Sequence, residues 1–118
     1  MLLTIIKDPD GMETGIKITN VSSVLNKDGD RIEISGRMSG IPVVGPGFEP
    51  DIECELLNHE AQICHSATSV HQGVYYVTKQ VTFTLKIEDI SQSIGWDNLG
   101  EINLYVIFRR IRQDLKRT

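Results

Sequence analysis

The chain has 118 residues, of which 40% are hydrophobic and 24% charged, with a formal net charge of −4. A chain of this length buries roughly two-thirds of its unfolded surface, enough for one core formed by residues 1–118 without disulfide staples. Apolar runs of about four residues fall far short of the roughly 20 that a membrane span needs. The abundance of Ile, Val and Leu excludes a disordered tail, and 16 acids against 12 bases weigh against bulk affinity for nucleic acid.

The N-terminus, Met1–Asp8, has no basic leader and too short an apolar run for a signal peptide. Two cysteines are too few for a secreted disulfide framework. The cytoplasm is the expected compartment, or export if a leader has been removed.

Taken in chain order, the dominant period is two, the period of a half-buried strand. A short strand is expected near residues 2–6, followed by Asp8-Pro9-Asp10-Gly11, a turn-former before it is a calcium ligand. The next strand, near 15–25, runs into Lys27-Asp28-Gly29-Asp30, whose Asp-Gly pair is a strong hairpin signal. In the third, near 31–39, Ile32, Ile34, Gly36 and Met38 alternate with Arg31, Glu33, Ser35 and Arg37, so one face is buried and the other wet.

Gly40 to Pro50 holds three of the four prolines and three of the ten glycines, mixed with Ile41, Val43, Val44 and Phe48. Pro fixes φ and Gly permits unusual angles, so this stretch is expected to be an irregular crossover between sheets. Ile52, Cys54 and Leu56 then alternate with Asp51, Glu53 and Glu55 in a strand near 51–57. Asn58-His59-Glu60 turns the chain into a strand near 61–70. A hairpin centred on His59 would pair residue i with 118 − i and set Cys54 opposite Cys64.

His71-Gln72-Gly73 precedes a strand near 74–87, either continuous or broken near Thr78, in which Val81, Phe83, Leu85 and Ile87 share one face. Ile90 to Trp96 has room for one short helical turn. The last strand, near 101–111, is apolar on both sides: Ile102, Leu104, Val106 and Phe108 on one, Tyr105 and Ile107 on the other. Such a strand is central in its sheet or covered by a partner. Arg109, Arg110, Arg112, Lys116 and Arg117 then gather five of the 12 bases at the end, which reads as a solvated tail rather than an anion site. About seven short, regularly spaced strands point to an all-β fold, an antiparallel two-sheet sandwich of immunoglobulin-like type.

The stretch Ile52-Glu-Cys-Glu-Leu-Leu-Asn-His-Glu-Ala-Gln-Ile-Cys64 resembles the central hairpin of small bacterial sandwich modules of the FxLyD type. Phe83-Thr-Leu-Lys-Ile87 and Ile102-Asn-Leu-Tyr-Val106 suit the last strands of such modules. Ala61 departs from them, standing where they usually place Gly. These modules are accessory or interaction domains, so the resemblance implies a fold and a lowered expectation of catalysis, and no site.

Cys54, His59, Cys64, His65 and His71 lie within 18 residues of one another. Their intervals match no familiar zinc pattern. His59 at the turn tip would sit about 16 Å from either thiol at the strand rise. The alternatives are a cross-strand disulfide or, favoured by the alternation, a core cysteine in the Ile52/Leu56 row. The acids Glu49, Asp51, Glu53 and Glu55 are expected on a wet face that discourages edge pairing. Trp96 is expected to plug one end of the sandwich.

No G-x-S-x-G, phosphate-cradling loop or H-E-x-x-H appears, so an enzyme is not expected and no cofactor is implied. The function expected is a non-enzymatic interaction or assembly module for a protein partner or a second copy. Its contact residues are Ile41, Val43, Val44 and Phe48 of the loop and Tyr105 and Ile107 of the last strand, with no nucleic acid or membrane partner. The alternatives are a carbohydrate-binding module using Trp96, Tyr75 and Tyr76, or a metal-binding module around Cys54, Cys64, His65 and His71.

Overall fold

A computed structural model describes residues 2–45, 47–69 and 80–110. These form seven strands: β1 (Leu3–Ile6), β2 (Ile16–Asn26), β3 (Arg31–Gly40), β4 (Phe48–Asn58), β5 (Ile63–Thr68), β6 (Val81–Ile87) and β7 (Leu99–Arg110). One sheet has the order β1-β7-β4-β5 and the other β2-β3-β6. The expected all-β sandwich of two layers is what the chain forms. It crosses from one layer to the other after β1, β3, β5 and β6.

The alternation places the core. Ile32, Ile34 and Met38 of β3 and Phe83, Leu85 and Ile87 of β6 are buried. They face Ile52, Cys54 and Leu56 of β4 and Ile102 and Leu104 of β7. The β2–β3 hairpin turns at Lys27–Asp30, where the Asp-Gly signal predicts it, with Asn26 opposite Arg31. β2 is less regular than its neighbour, because the ladder shifts between Thr19 and Ser22 and Asn20 takes a left-handed φ of 55°.

Three expectations are corrected. The sandwich is not wholly antiparallel, because β1 pairs parallel with β7, Leu3 opposite Glu101 through Ile6 opposite Leu104. The loop after β3 ends earlier than Pro50, since β4 already begins at Phe48. Pro50 is tolerated there because its missing N–H would point away from β7: Ile52, two residues on, turns its carbonyl to that same far side, where it accepts from Ser69 N–H at 2.9 Å.

The β4–β5 register is the third. Glu53 opposes Thr68, Cys54 opposes Ala67 and Leu56 opposes His65, so Cys64 does not face Cys54. The turn is anchored by Asn58, whose Oδ1 accepts from Glu60 N at 3.0 Å and Gln62 N at 2.9 Å, with Ala61 left-handed at φ 62°. The ladder then slips between Leu56 and Leu57, leaving Cys64 as the bulged residue. Loop chemistry, rather than the midpoint of the apolar pattern, sets this register.

The end holding the β2–β3 turn is closed by side-chain bonds. A short helix, α1 (Ile90–Ser93), and a 3-10 turn (Trp96–Asn98) follow β6, as the sequence suggests. The Asp30 carboxylate accepts from Ser91 N at 2.9 Å, Ser91 Oγ at 2.6 Å and Trp96 Nε1 at 2.9 Å. These bonds, the Ser91 hydroxyl first, hold the Asp30 carboxyl below its ordinary pKa. Trp96 packs against the core with its indole N–H engaged and Lys27 Nζ 5.9 Å from its ring, which makes it an end plug.

Candidate functional site

At the end where β2 begins and β3 finishes, two loops are tied together. Asp8 turns the chain with φ 56°, and its carboxylate accepts from Glu13 N at 3.0 Å, Thr14 N at 2.9 Å and Thr14 Oγ1 at 3.0 Å. Thr14 N–H, donating first, holds the Asp8 carboxyl below its ordinary pKa. Across from this loop, Ile41 N donates to Gly15 O at 3.1 Å and Val43 N to Thr14 O at 3.0 Å. Gly15, at φ 84°, comes so close that a Cβ there would lie 1.9 Å from Ile41 O. Only glycine permits that approach.

These backbone bonds present aliphatic side chains to solvent. Met12 is 85% exposed, Ile41 65%, Val43 63% and Val44 47%. Isolated exposed aliphatics are ordinary, but several on two loops held together by main-chain bonds make a preorganised apolar surface. Ile41, Val43 and Val44 lie exposed on the loop after β3. Met12 carries no mark of this surface in the sequence, because nothing in the chain between Asp8 and Gly15 signals that its loop docks beside residues 41–44.

The remaining contact residues lie elsewhere. Phe48 is half-buried at the start of β4, with the Arg110 guanidinium 5.4 Å from its ring. Tyr105 and Ile107 are half-buried on the outer side of β7. The Tyr105 hydroxyl donates to Glu55 Oε2 at 3.1 Å, and Lys7 Nζ sits 5.4 Å from the ring. Burial first, then the Glu55 bond, raises the Tyr105 pKa.

The acid row corrects a further expectation. Glu53 and Glu55 are half-buried, but Glu49 and Asp51 are 8% and 2% exposed. Arg109 explains this. Its Nη2 bonds Glu49 Oε1 and its Nε donates to Asp51 Oδ2 at 3.0 Å. One base expected in a solvated tail thus bridges two acids expected on a wet face, and the Asp51 bond, first in size, raises the Arg109 pKa. Arg112, Lys116 and Arg117 lie outside the described residues.

The cysteine–histidine group does not assemble among the described residues. Cys54 is a buried free thiol and Cys64 an exposed one. Burial, with Glu53 and Glu55 adding to it, pushes the Cys54 thiol up to about 12, far from a reactive thiolate. His59 Nε2 pairs with Asp97 O at 2.9 Å at the opposite end of the hairpin from Cys54. Among the described residues no three His, Cys, Asp or Glu side chains converge on a point that would hold a metal ion. His71, Tyr75 and Tyr76 lie outside the described residues.

A depression of about 240 Å³ on the β2–β3–β6 sheet is lined by Asn20, Ser35, Gly36, Arg37 and Thr82. It brings together amide, hydroxyl and guanidinium groups without a nucleophile–base pair. No helix among the described residues is long and apolar enough to cross a membrane. Compared with known proteins, the chain matches no family model, no curated protein and no solved structure.

Proposed function

We propose that the protein is a non-enzymatic interaction or assembly module of immunoglobulin-like type, acting in the cytoplasm on a protein partner, the first candidate being a second copy of itself. The observation that carries this reading is the solvent-exposed cluster Met12, Ile41, Val43 and Val44 on two hydrogen-bonded loops. Covering such a surface releases water from apolar area, and its fixed backbone spares the ordering entropy that a mobile loop would lose on docking. The net charge of −4 favours a protein partner over nucleic acid or an anionic membrane. The order β2-β3-β6 against β7-β4-β5 supports the immunoglobulin-like assignment. The likeness to FxLyD-type accessory modules is in keeping with it.

The test is mass against concentration by light scattering. The wild-type chain is expected to self-associate, and Val44→Asp to fold normally and remain monomeric. A wild-type monomer at every concentration, with Val44→Asp folding like wild type, contradicts the proposal.

A further inference from the structure

The outermost pair of the four-stranded sheet is unevenly matched. β7 runs for 12 residues, while β1 has 4 and meets only Glu101–Leu104. The last bond between them is Lys7 N donating to Leu104 O at 2.9 Å. Successive strand residues turn their backbone groups to opposite sides, so Val106, Phe108 and Arg110 present theirs to the same edge as Leu104. Among the described residues no backbone group pairs with them on that edge. The open stretch has apolar side chains on both faces, Val106 and Phe108 inward and Tyr105 and Ile107 outward. An edge of this kind is a template for another strand.

The stretch that β1 does cover is imperfectly matched as well. Asn103 is 6% exposed, and its buried Oδ1 has no hydrogen-bond partner among the described residues. Its neighbours in register are Ile5 on β1, which has nothing to donate, and Glu55 on β4, which only accepts. Leu3 and Ile5 are themselves 51% and 41% exposed, so of the β1 aliphatics only Ile6 packs against the core.

We propose that this edge of β7 is a strand-addition site of which β1 is the resident occupant, and that its partner is an extended segment of another protein, longer than β1, with Arg or Lys where β1 has Ile5. The incoming strand displaces β1, continues along Val106, Phe108 and Arg110, and donates a charged hydrogen bond to Asn103 Oδ1. Glu55 and Glu101, beside that position, supply the opposite charge. The inference rests on the reading of the chain as an interaction module and assigns it a second surface, made of residues other than Met12, Ile41, Val43 and Val44.

The probe is a synthetic strand, residues 1–7 of the chain extended by Thr-Val-Thr-Val, in its native form and with Ile5→Arg. Each is titrated into the full-length, isotope-labelled chain and followed by NMR. The Ile5→Arg strand is expected to shift the amides of residues 101–110 and to bind about tenfold more tightly than the native one, the factor a charged hydrogen bond of about 1.4 kcal/mol supplies. On the Asn103→Leu chain that preference is expected to vanish. A second readout does not need that variant to fold: Ile5→Arg in the intact chain slows hydrogen exchange of the β1 amides. Equal binding of the two strands, no shift at residues 101–110, a preference that survives Asn103→Leu, or unchanged β1 exchange overturns the inference. Repeating the titration on the Val44→Asp chain separates the two surfaces: the preference persists there if the strand site is real, whether or not the loop cluster docks anything.

Discussion

Gly36 sits in the middle of β3 at a core-facing position, opposite Phe83 of β6. Its backbone is ordinary extended strand, so a side chain there tests space alone. An added Cβ would lie 2.7 and 2.8 Å from two Phe83 ring carbons, against a comfortable separation of about 3.5–4.0 Å. Phe83 is 1% exposed and enclosed by the facing sheet, so the ring has little room to retreat. Overpacking of this kind costs about 1–3 kcal/mol. Alanine recovers about 0.5–1 kcal/mol of backbone entropy relative to glycine, so Gly36→Ala should destabilise by about 1–2 kcal/mol.

Phe83→Leu on its own leaves a cavity and should cost about 1–3 kcal/mol. Combined with Gly36→Ala it should cost less, because the methyl then occupies space the ring vacated. Urea unfolding followed by Trp96 fluorescence and circular dichroism gives all four corners of the cycle, with a coupling expected at about 1 kcal/mol or more. Additivity within about 0.3–0.5 kcal/mol, or a Gly36→Ala chain as stable as wild type, would refute the stated packing of β3 on β6.

Other substitutions probe the remaining devices. Arg109→Ala removes the guanidinium that Glu49 and Asp51 share and should cost about 1–3 kcal/mol, less than a fully buried pair because the guanidinium is 40% exposed; chemical denaturation measures it. Ala61→Gly removes a left-handed strain of about 1–2 kcal/mol at the price of about 0.4–1 kcal/mol of unfolded-chain entropy, so a small rise in melting temperature is expected. The Asp30 carboxyl has a depressed pKa when folded, so its contribution to stability is present above its unfolded value and disappears as pH falls through the folded one. Asp30→Asn should therefore flatten the acid limb of stability against pH below about 4, where wild type falls. With a thiol reagent near neutral pH, the native chain should react at Cys64 alone, and Cys54 only after denaturation.

What could be read directly from the sequence follows from which forces are local. β3 and β6 have one wet and one dry face, so the order of Ile32, Ile34 and Met38, or of Phe83, Leu85 and Ile87, fixes their orientation before any partner is known. β7, two-faced in the sequence, lies between β1 and β4, although Tyr105 and Ile107 run past the end of β1. Its parallel neighbour β1 leaves no comparable mark, because four residues, three of them aliphatic, pair as readily in either direction. The β4–β5 register depends on the Asn58 side chain and the left-handed Ala61, which no count of apolar residues reveals. The burial of Glu49 and Asp51 depends on Arg109, nearly 60 positions away in the chain. Likewise, Met12 joins Ile41, Val43 and Val44 only through bonds between Thr14, Gly15 and the distant loop.

Two pleated layers that hide every second side chain are the premise of all these expectations, and methyl NMR with a soluble paramagnetic agent reads that premise directly. The methyls of Ile32, Ile34, Leu85, Ile87 and Ile102 should keep sharp signals while those of Ile41, Val43, Val44 and Ile63 broaden strongly. Equal broadening of the two groups would contradict the account.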